Sequence, residues 1–145
     1  METISRVEMA ASSLYEAWAK RFEGDAEASF LFYRISLEEK AHAQLAEYCR
    51  MLVAKHGGEF PDIVETPMEE ASFLRMVHES SGAKSLKEAV EAAWNLEANV
   101  GEAYLNSKLA RLGDGFVQQM IQVLANCGHA ESLAEFLAAR GWKKA

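Results

Sequence analysis

Four long stretches of this chain repeat apolar residues at spacings of three and four, and glycine-marked turns separate them. That period confines the fold to packed helices, because a stripe with helical spacing cannot line one face of a strand. The first predicted helix runs from about Thr3 to Phe22, with Ile4, Glu8, Ala11, Tyr15, Trp18 and Phe22 on its inner side. Gly24 interrupts it, and Asp25 suits the N-cap of the next. The second helix reaches about Lys55 and turns Leu31, Ile35, Glu39, His42, Leu45, Cys49 and Leu52 inward before Gly57-Gly58 stops it. Ser85-Leu86-Lys87-Glu88 is a capping box that opens the third, whose inner side holds Leu86, Val90, Ala93, Glu97, Val100 and Tyr104. The fourth spans about Gly115 to Ala139, behind a Gly113-Asp114-Gly115 turn with Asp114 as N-cap, and Gly141 follows its end. Composition agrees: 50% of residues are hydrophobic, alanine is abundant and only 2 prolines occur.

The segment between the second and third helices carries a further start signal. Thr66-Pro67-Met68-Glu69 offers a cap, a proline at the first helical position and a closing glutamate. A short helix is expected from there to about Glu79, ended by Ser80-Ser81-Gly82. The short turns make two antiparallel helical hairpins, and the long connection lets the second pack as a parallel repeat of the first. The expectation is one all-α domain over residues 1–145, a four-helix bundle with one long crossover, similar to ferritin-like folds. One irregularity interrupts the fourth helix. Val117, Met120, Ile121 and Leu124 define one apolar side, whereas His129, Leu133, Phe136 and Leu137 lie on another. A kink, a bulge or a break at Asn126-Cys127-Gly128 accounts for the change equally well.

Several function classes are disfavoured. The formal net charge is −7, from 15 basic and 22 acidic residues, which argues against a nucleic-acid partner. Cys49 and Cys127 stand alone with no C-x-x-C, so neither a zinc ribbon nor a disulfide framework is expected. No apolar run is long enough for a membrane span, and METISRVEMAASS lacks signal-peptide character, which together lead to a cytoplasmic expectation. There is no phosphate-binding glycine loop, nucleophile elbow or dinucleotide fingerprint.

The polar residues on the apolar stripes are the candidate chemistry. Glu39 lies 15 residues after Gly24 and Glu8 lies 16 before it. At ~1.5 Å per residue both stand at about the same height above the turn. Glu16 falls well below that height, on a side shared with Ser12, Ser13 and Lys20. Glu97 lies 17 residues before Asp114 and His129 lies 15 after it, so these two should also meet. A carboxylate or imidazole at mid-height in a bundle needs a partner, because burying it alone is costly. Glu39-Lys40-Ala41-His42 is an E-x-x-H motif, which places two side chains on one helix side where they can share a metal.

With Glu8, Glu39, His42, Glu97 and His129 on successive helices, the chain resembles the rubrerythrin-like branch of the ferritin-like superfamily, without a rubredoxin domain. The resemblance spans nearly the whole chain. Glu8 matches the first-helix glutamate, Glu39 and His42 the second-helix motif, Glu97 the third-helix glutamate and His129 the fourth-helix histidine. It implies a centre of two metal ions, usually iron, and oxidase or peroxidase chemistry on O2 or peroxide; the oxygen and imidazole donors themselves also suit manganese or zinc. The position three before His129 is Asn126, where the family has glutamate. Trp94 and Val100 stand three residues either side of Glu97 and offer no further carboxylate. Two divalent cations would then need hydroxide or water as well as the three carboxylates, whereas one cation would be held by the same set.

The remaining candidates have simpler readings. Cys49 and Cys127 are expected as small apolar side chains before redox thiols. Tyr15 and Tyr104 point inward near the centre, as packing residues or as phenols supporting the ligands. His56 and His78 are expected in solvent. The rival to the metal-binding reading is a bundle whose centre has degenerated, serving as a structural or interaction protein, with a homo-oligomer as the expected assembly. Its main support is Asn126. A hydroxylase acting on an organic substrate is a third reading and requires an apolar pocket beside the metal.

Overall fold

Asp25 accepts a hydrogen bond from the backbone N–H of Ala28 at 3.2 Å and so starts the longest helix among the described residues. The computed structural model describes residues 2–56, 67–105 and 115–142. Within them every regular element is helical: α1 (Glu2–Arg21), α2 (Ala26–Lys55), α3 (Pro67–Ser80), α4 (Leu86–Leu105), α5 (Gly115–Ala125) and α6 (His129–Ala139). The expected stop at Gly57-Gly58, the Thr66 cap and the Gly113-Asp114 turn lie outside the described residues. No described helix is long and apolar enough to cross a membrane.

Polar contacts at the helix ends fix the directions. Ser29 Oγ donates to the Ala19 carbonyl at 2.7 Å and Ser12 Oγ to the Ser36 carbonyl at 2.8 Å, so α1 and α2 run antiparallel. Ser12 is therefore buried rather than on a polar side, while Glu16 faces Lys20 at 3.8 Å in solvent as expected. Near the start of α1, Arg6 pairs with Glu70 in the first turns of α3. At the other end of α1, Arg21 donates to the Lys84 carbonyl at 3.0 Å, just before α4. Thus α3 runs alongside α1 in the same direction and delivers the chain to the end of α1, where α4 sets off antiparallel to it. The second hairpin is consequently not a parallel repeat of the first; α1 and α4 oppose one another. Arg140, after α6, grips Asp25 at 2.7 and 2.9 Å, so α6 ends where α2 begins.

The Ser85 cap forms in part. Its Oγ accepts from the Glu88 N–H at 3.2 Å, but the Glu88 carboxylate reaches back to the Lys84 N–H at 2.7 Å instead of closing on Ser85. The fourth predicted helix is two helices. Gly128 adopts φ 78° and ψ 8°, the left-handed conformation that glycine tolerates, and breaks α5 from α6. That break accounts for the rotated stripe: Val117, Met120, Ile121 and Leu124 are buried from α5, and His129, Leu133 and Leu137 from α6.

One continuous core joins these faces. At one end Tyr15, Trp18 and Phe32 cluster, with ring centroids 5.8 Å apart for Tyr15 and Trp18 and 5.3 Å for Trp18 and Phe32. Each such ring contributes about 1.5–3 kcal/mol on burial. This apolar plug closes the bundle below the polar groups.

Candidate metal centre

Polar side chains from α1, α2, α4 and the start of α6 converge above the aromatic plug. Glu8, Ser12, Ser36, Glu39, His42 and His129 are the buried polar or charged residues among the described ones, and the Glu97 side chain is as buried as that of His42. Potential ligand atoms of Glu8, Glu39 and His42 lie within 4.8 Å of one another, and so do those of Glu97, Cys127 and His129. All five residues singled out in the sequence are thus brought to one level.

Glu39 joins the two groups. Its Oε1 is 2.8 Å from His129 Nδ1, and its Oε2 is 3.5 Å from His42 Nδ1. Glu97 Oε2 approaches the same His129 nitrogen at 3.5 Å, and Glu8 Oε1 approaches His42 Nδ1 at 4.0 Å. The other nitrogen of His129, Nε2, meets the carboxylate of Glu38. His129 therefore has one nitrogen turned inward and one held by an outer carboxylate, the arrangement that orients metal-binding histidines.

Two tyrosines brace the carboxylates. Tyr15 on α1 donates to Glu97 Oε1 on α4 at 2.6 Å, and Tyr104 on α4 donates to Glu8 Oε1 on α1 at 3.0 Å. The exchange is reciprocal because Glu8 and Tyr15 stand seven residues apart, Glu97 and Tyr104 stand seven apart, and the helices oppose. Burial, then the neighbouring Glu97 and Glu39 charges, hold the Tyr15 phenol well above its ordinary pKa. Burial, then Glu8 and Glu39, do the same for Tyr104, so both stay donors.

The electrostatics are those of a charged cluster holding protons. Burial, then the charges of Glu39 and Glu97, push Glu8 well above the usual carboxylate range. Burial and Glu39 lift Glu97 to about 7, against the opposing pull of His129 and Tyr15. Burial also disfavours the Glu39 anion, but Glu8, His129 and His42 outweigh it and hold Glu39 well below its ordinary value. His129 behaves correspondingly: burial disfavours its imidazolium, while Cys127, Glu39 and Glu97 raise it far above a free histidine. The upward shifts of Glu8, Glu97 and His129 have one cause in common, negative charge gathered at Glu39 and Glu97 that a cation would also balance.

One deficit remains. Glu39 Oε2 and His42 Nδ1 are buried and complete no hydrogen bond. A buried polar atom without a partner costs roughly 1–3 kcal/mol, and here two face each other. On the His129 side of Glu39 lies a cavity of about 300 Å³ lined by Glu8, Glu39, Glu97, Cys127 and His129, with Leu124 among its apolar walls.

Two features differ from the sequence reading. Asn126 is exposed and donates to Gln122 Oε1 at 2.7 Å, so it does not occupy the position a helical E-x-x-H would give it. Glu38 escaped notice because its side chain is 38% exposed and lies off the apolar stripe of α2. The only sequence signal for it is adjacency to Glu39. Tyr15 and Tyr104 do bond the candidate ligands rather than merely pack. His56 and His78 are in solvent, as expected.

Compared with known proteins, the chain matches no family model, no curated protein and no solved structure.

Proposed function

We propose that this protein binds metal, iron first among the candidates, through Glu8, Glu39, His42, Glu97 and His129 in a ferritin-like bundle of the rubrerythrin-like kind. The observation that carries the reading is the facing pair of unpartnered buried atoms, Glu39 Oε2 and His42 Nδ1, 3.5 Å apart. A cation bonded to both removes the deficit, and Glu8 is close enough to share it. The donor set of carboxylate oxygens and imidazole nitrogens suits iron, manganese or zinc. Glu39 turns one oxygen toward His42 and the other toward His129, which supports a shared role in holding metal.

Bound iron would supply a redox couple for oxidase or peroxidase chemistry, and the adjoining cavity gives O2 or peroxide a route in. The chain's own part is to hold the ligands: Tyr15 and Tyr104 orient Glu97 and Glu8, and Glu38 orients His129. The aromatic plug keeps water from the core side.

The reading is tested by metal content per chain on protein purified without chelator or histidine tag. One or two equivalents, or uptake of anaerobic Fe²⁺ in that ratio, support it. No metal and no uptake would overturn it in favour of an interaction protein. That second reading has its own support in an exposed apolar face on α2, with Phe30, Tyr33, Leu37, Tyr48 and Met51 in solvent, which also suits a homo-oligomer.

A further inference from the structure

We propose that Cys127 is a metal ligand, making the second position of the centre a thiolate site for a borderline-soft divalent cation such as zinc or ferrous iron. The inference rests on the metal-binding reading above and concerns which atoms complete it.

The left-handed turn at Gly128 carries the argument. By ending α5 at Ala125 it takes residues 126–128 off both helices. Asn126 then turns outward to Gln122, so no oxygen donor reaches the centre from three residues before His129. Cys127 takes the inner place. A ligand atom of Cys127 lies within 4.8 Å of those of Glu97 and His129, and the residue borders the cavity between them.

A thiol beside a histidine is not by itself a site. Here a third donor, Glu97, lies with the two, and the Glu39 carboxylate, 1% exposed, borders the same cavity with Oε1 2.8 Å from His129 Nδ1. Glu97, Cys127 and His129 together present oxygen, sulfur and nitrogen donors around one space. Three such donors with one position left for water or a further ligand suit a four-coordinate ion. The charge also closes: Glu8, Glu39 and Glu97 with a Cys127 thiolate carry four negative charges, matching two divalent cations. Binding sends the thiol proton to solvent and moves no electron. Cys49, the other cysteine, is packed in the apolar core and belongs to neither ligand group.

Cobalt(II) is the probe, because thiolate bound to it gives an intense near-ultraviolet charge-transfer band that oxygen and nitrogen donors do not. The full chain, reduced with a non-thiol reductant, is titrated anaerobically beside Cys127→Ser and Cys49→Ser. The expected result is a band in the parent chain that survives Cys49→Ser and disappears in Cys127→Ser. The same variant should bind the second equivalent at least about tenfold more weakly, since loss of even an outer-shell partner costs about 10–100-fold. Cobalt uptake without the band, or with a band that Cys127→Ser retains, overturns the thiolate assignment and leaves the carboxylate–histidine centre standing. No uptake by the parent chain overturns both.

Discussion

The imidazole rings of His42 and His129 lie 27° from parallel with centroids 5.6 Å apart, and each directs Nδ1 toward a different oxygen of Glu39. These histidines are 87 residues apart in sequence and come from helices that run in opposite directions. Both histidines face this one carboxylate, so under the proposed metal-binding function its removal should affect ligation on both sides.

Glu39→Gln keeps the size of the side chain and removes its charge. Metal content measured by elemental analysis is expected to fall to near zero, and Glu39→Ala should do the same. Unchanged content in either variant would place the metal elsewhere.

The pH dependence follows from the protons the centre holds. Glu97 titrates at about 7 and Glu8 above the usual carboxylate range, because burial and Glu39 disfavour their anions. A cation needs those anions, and His129 must also give up its proton to become a ligand, so binding releases protons and affinity rises as pH rises through about 7 and continues to rise above it. Below that window affinity is lost as Glu97 takes up its proton. Calorimetric titrations in buffers of different ionisation heat should show proton release. An affinity flat across this range would contradict the assignment of Glu97.

Metal should also stabilise the fold. A ligand at a hundred times its Kd adds about 2.7 kcal/mol to the folded state. For a chain of this size that corresponds to a rise in Tm of about 5–10 °C. Thermal denaturation with saturating Fe²⁺ or Mn²⁺, and after chelation, checks both directions.

Tyr104→Phe and Tyr15→Phe each delete one phenol donor and leave the ring. Each should cost about 1 kcal/mol of stability. Each should also lower metal affinity by about 10–100-fold, because the freed carboxylate loses its orientation. The two variants should have similar effects, since the bonds are reciprocal; a large asymmetry would mean that the Glu8 and Glu97 sides are not equivalent in holding metal.

Gly128→Ala tests the break in the last helix. No neighbouring atom lies within 4 Å of an added methyl group, so the cost is backbone strain at φ 78°. Destabilisation of about 1–2 kcal/mol is expected in denaturant melts. A neutral effect would indicate that the turn relaxes at no cost.

Much of this arrangement can be read from residue counting. Height above a turn depends only on rise per residue, and it brings Glu8 to Glu39 and Glu97 to His129 without knowledge of packing. The apolar stripes give the core for the same reason: Ile4, Tyr15, Ile35, Val90 and Leu133 are all buried at positions the spacing selects. The sense of the second hairpin is not legible in this way, because a connection long enough to cross the bundle permits either direction. It is set by α3 running beside α1 through Arg6–Glu70 at one end and by Arg21 at the other. Glu38 is hidden for a geometric reason: an adjacent residue on a helix points about 100° away, so stripe analysis assigns it to solvent. Its role appears only when the first residue of α6 comes within reach. The rubrerythrin-like resemblance remains a proposal resting on spacing and on the ligand set.

A donor borne on a helix is tied to that helix's packing register, so replacing it or moving it disturbs a buried stripe. Cys127, between α5 and α6, is free of that constraint: its exchange alters what is offered to the cavity while Leu124 and Leu133 keep their places in the core. Single substitutions in this turn can therefore change the donor offered there, from sulfur to oxygen to nothing, while Glu8, Glu39, His42, Glu97 and His129 stay tied to the helices that carry them.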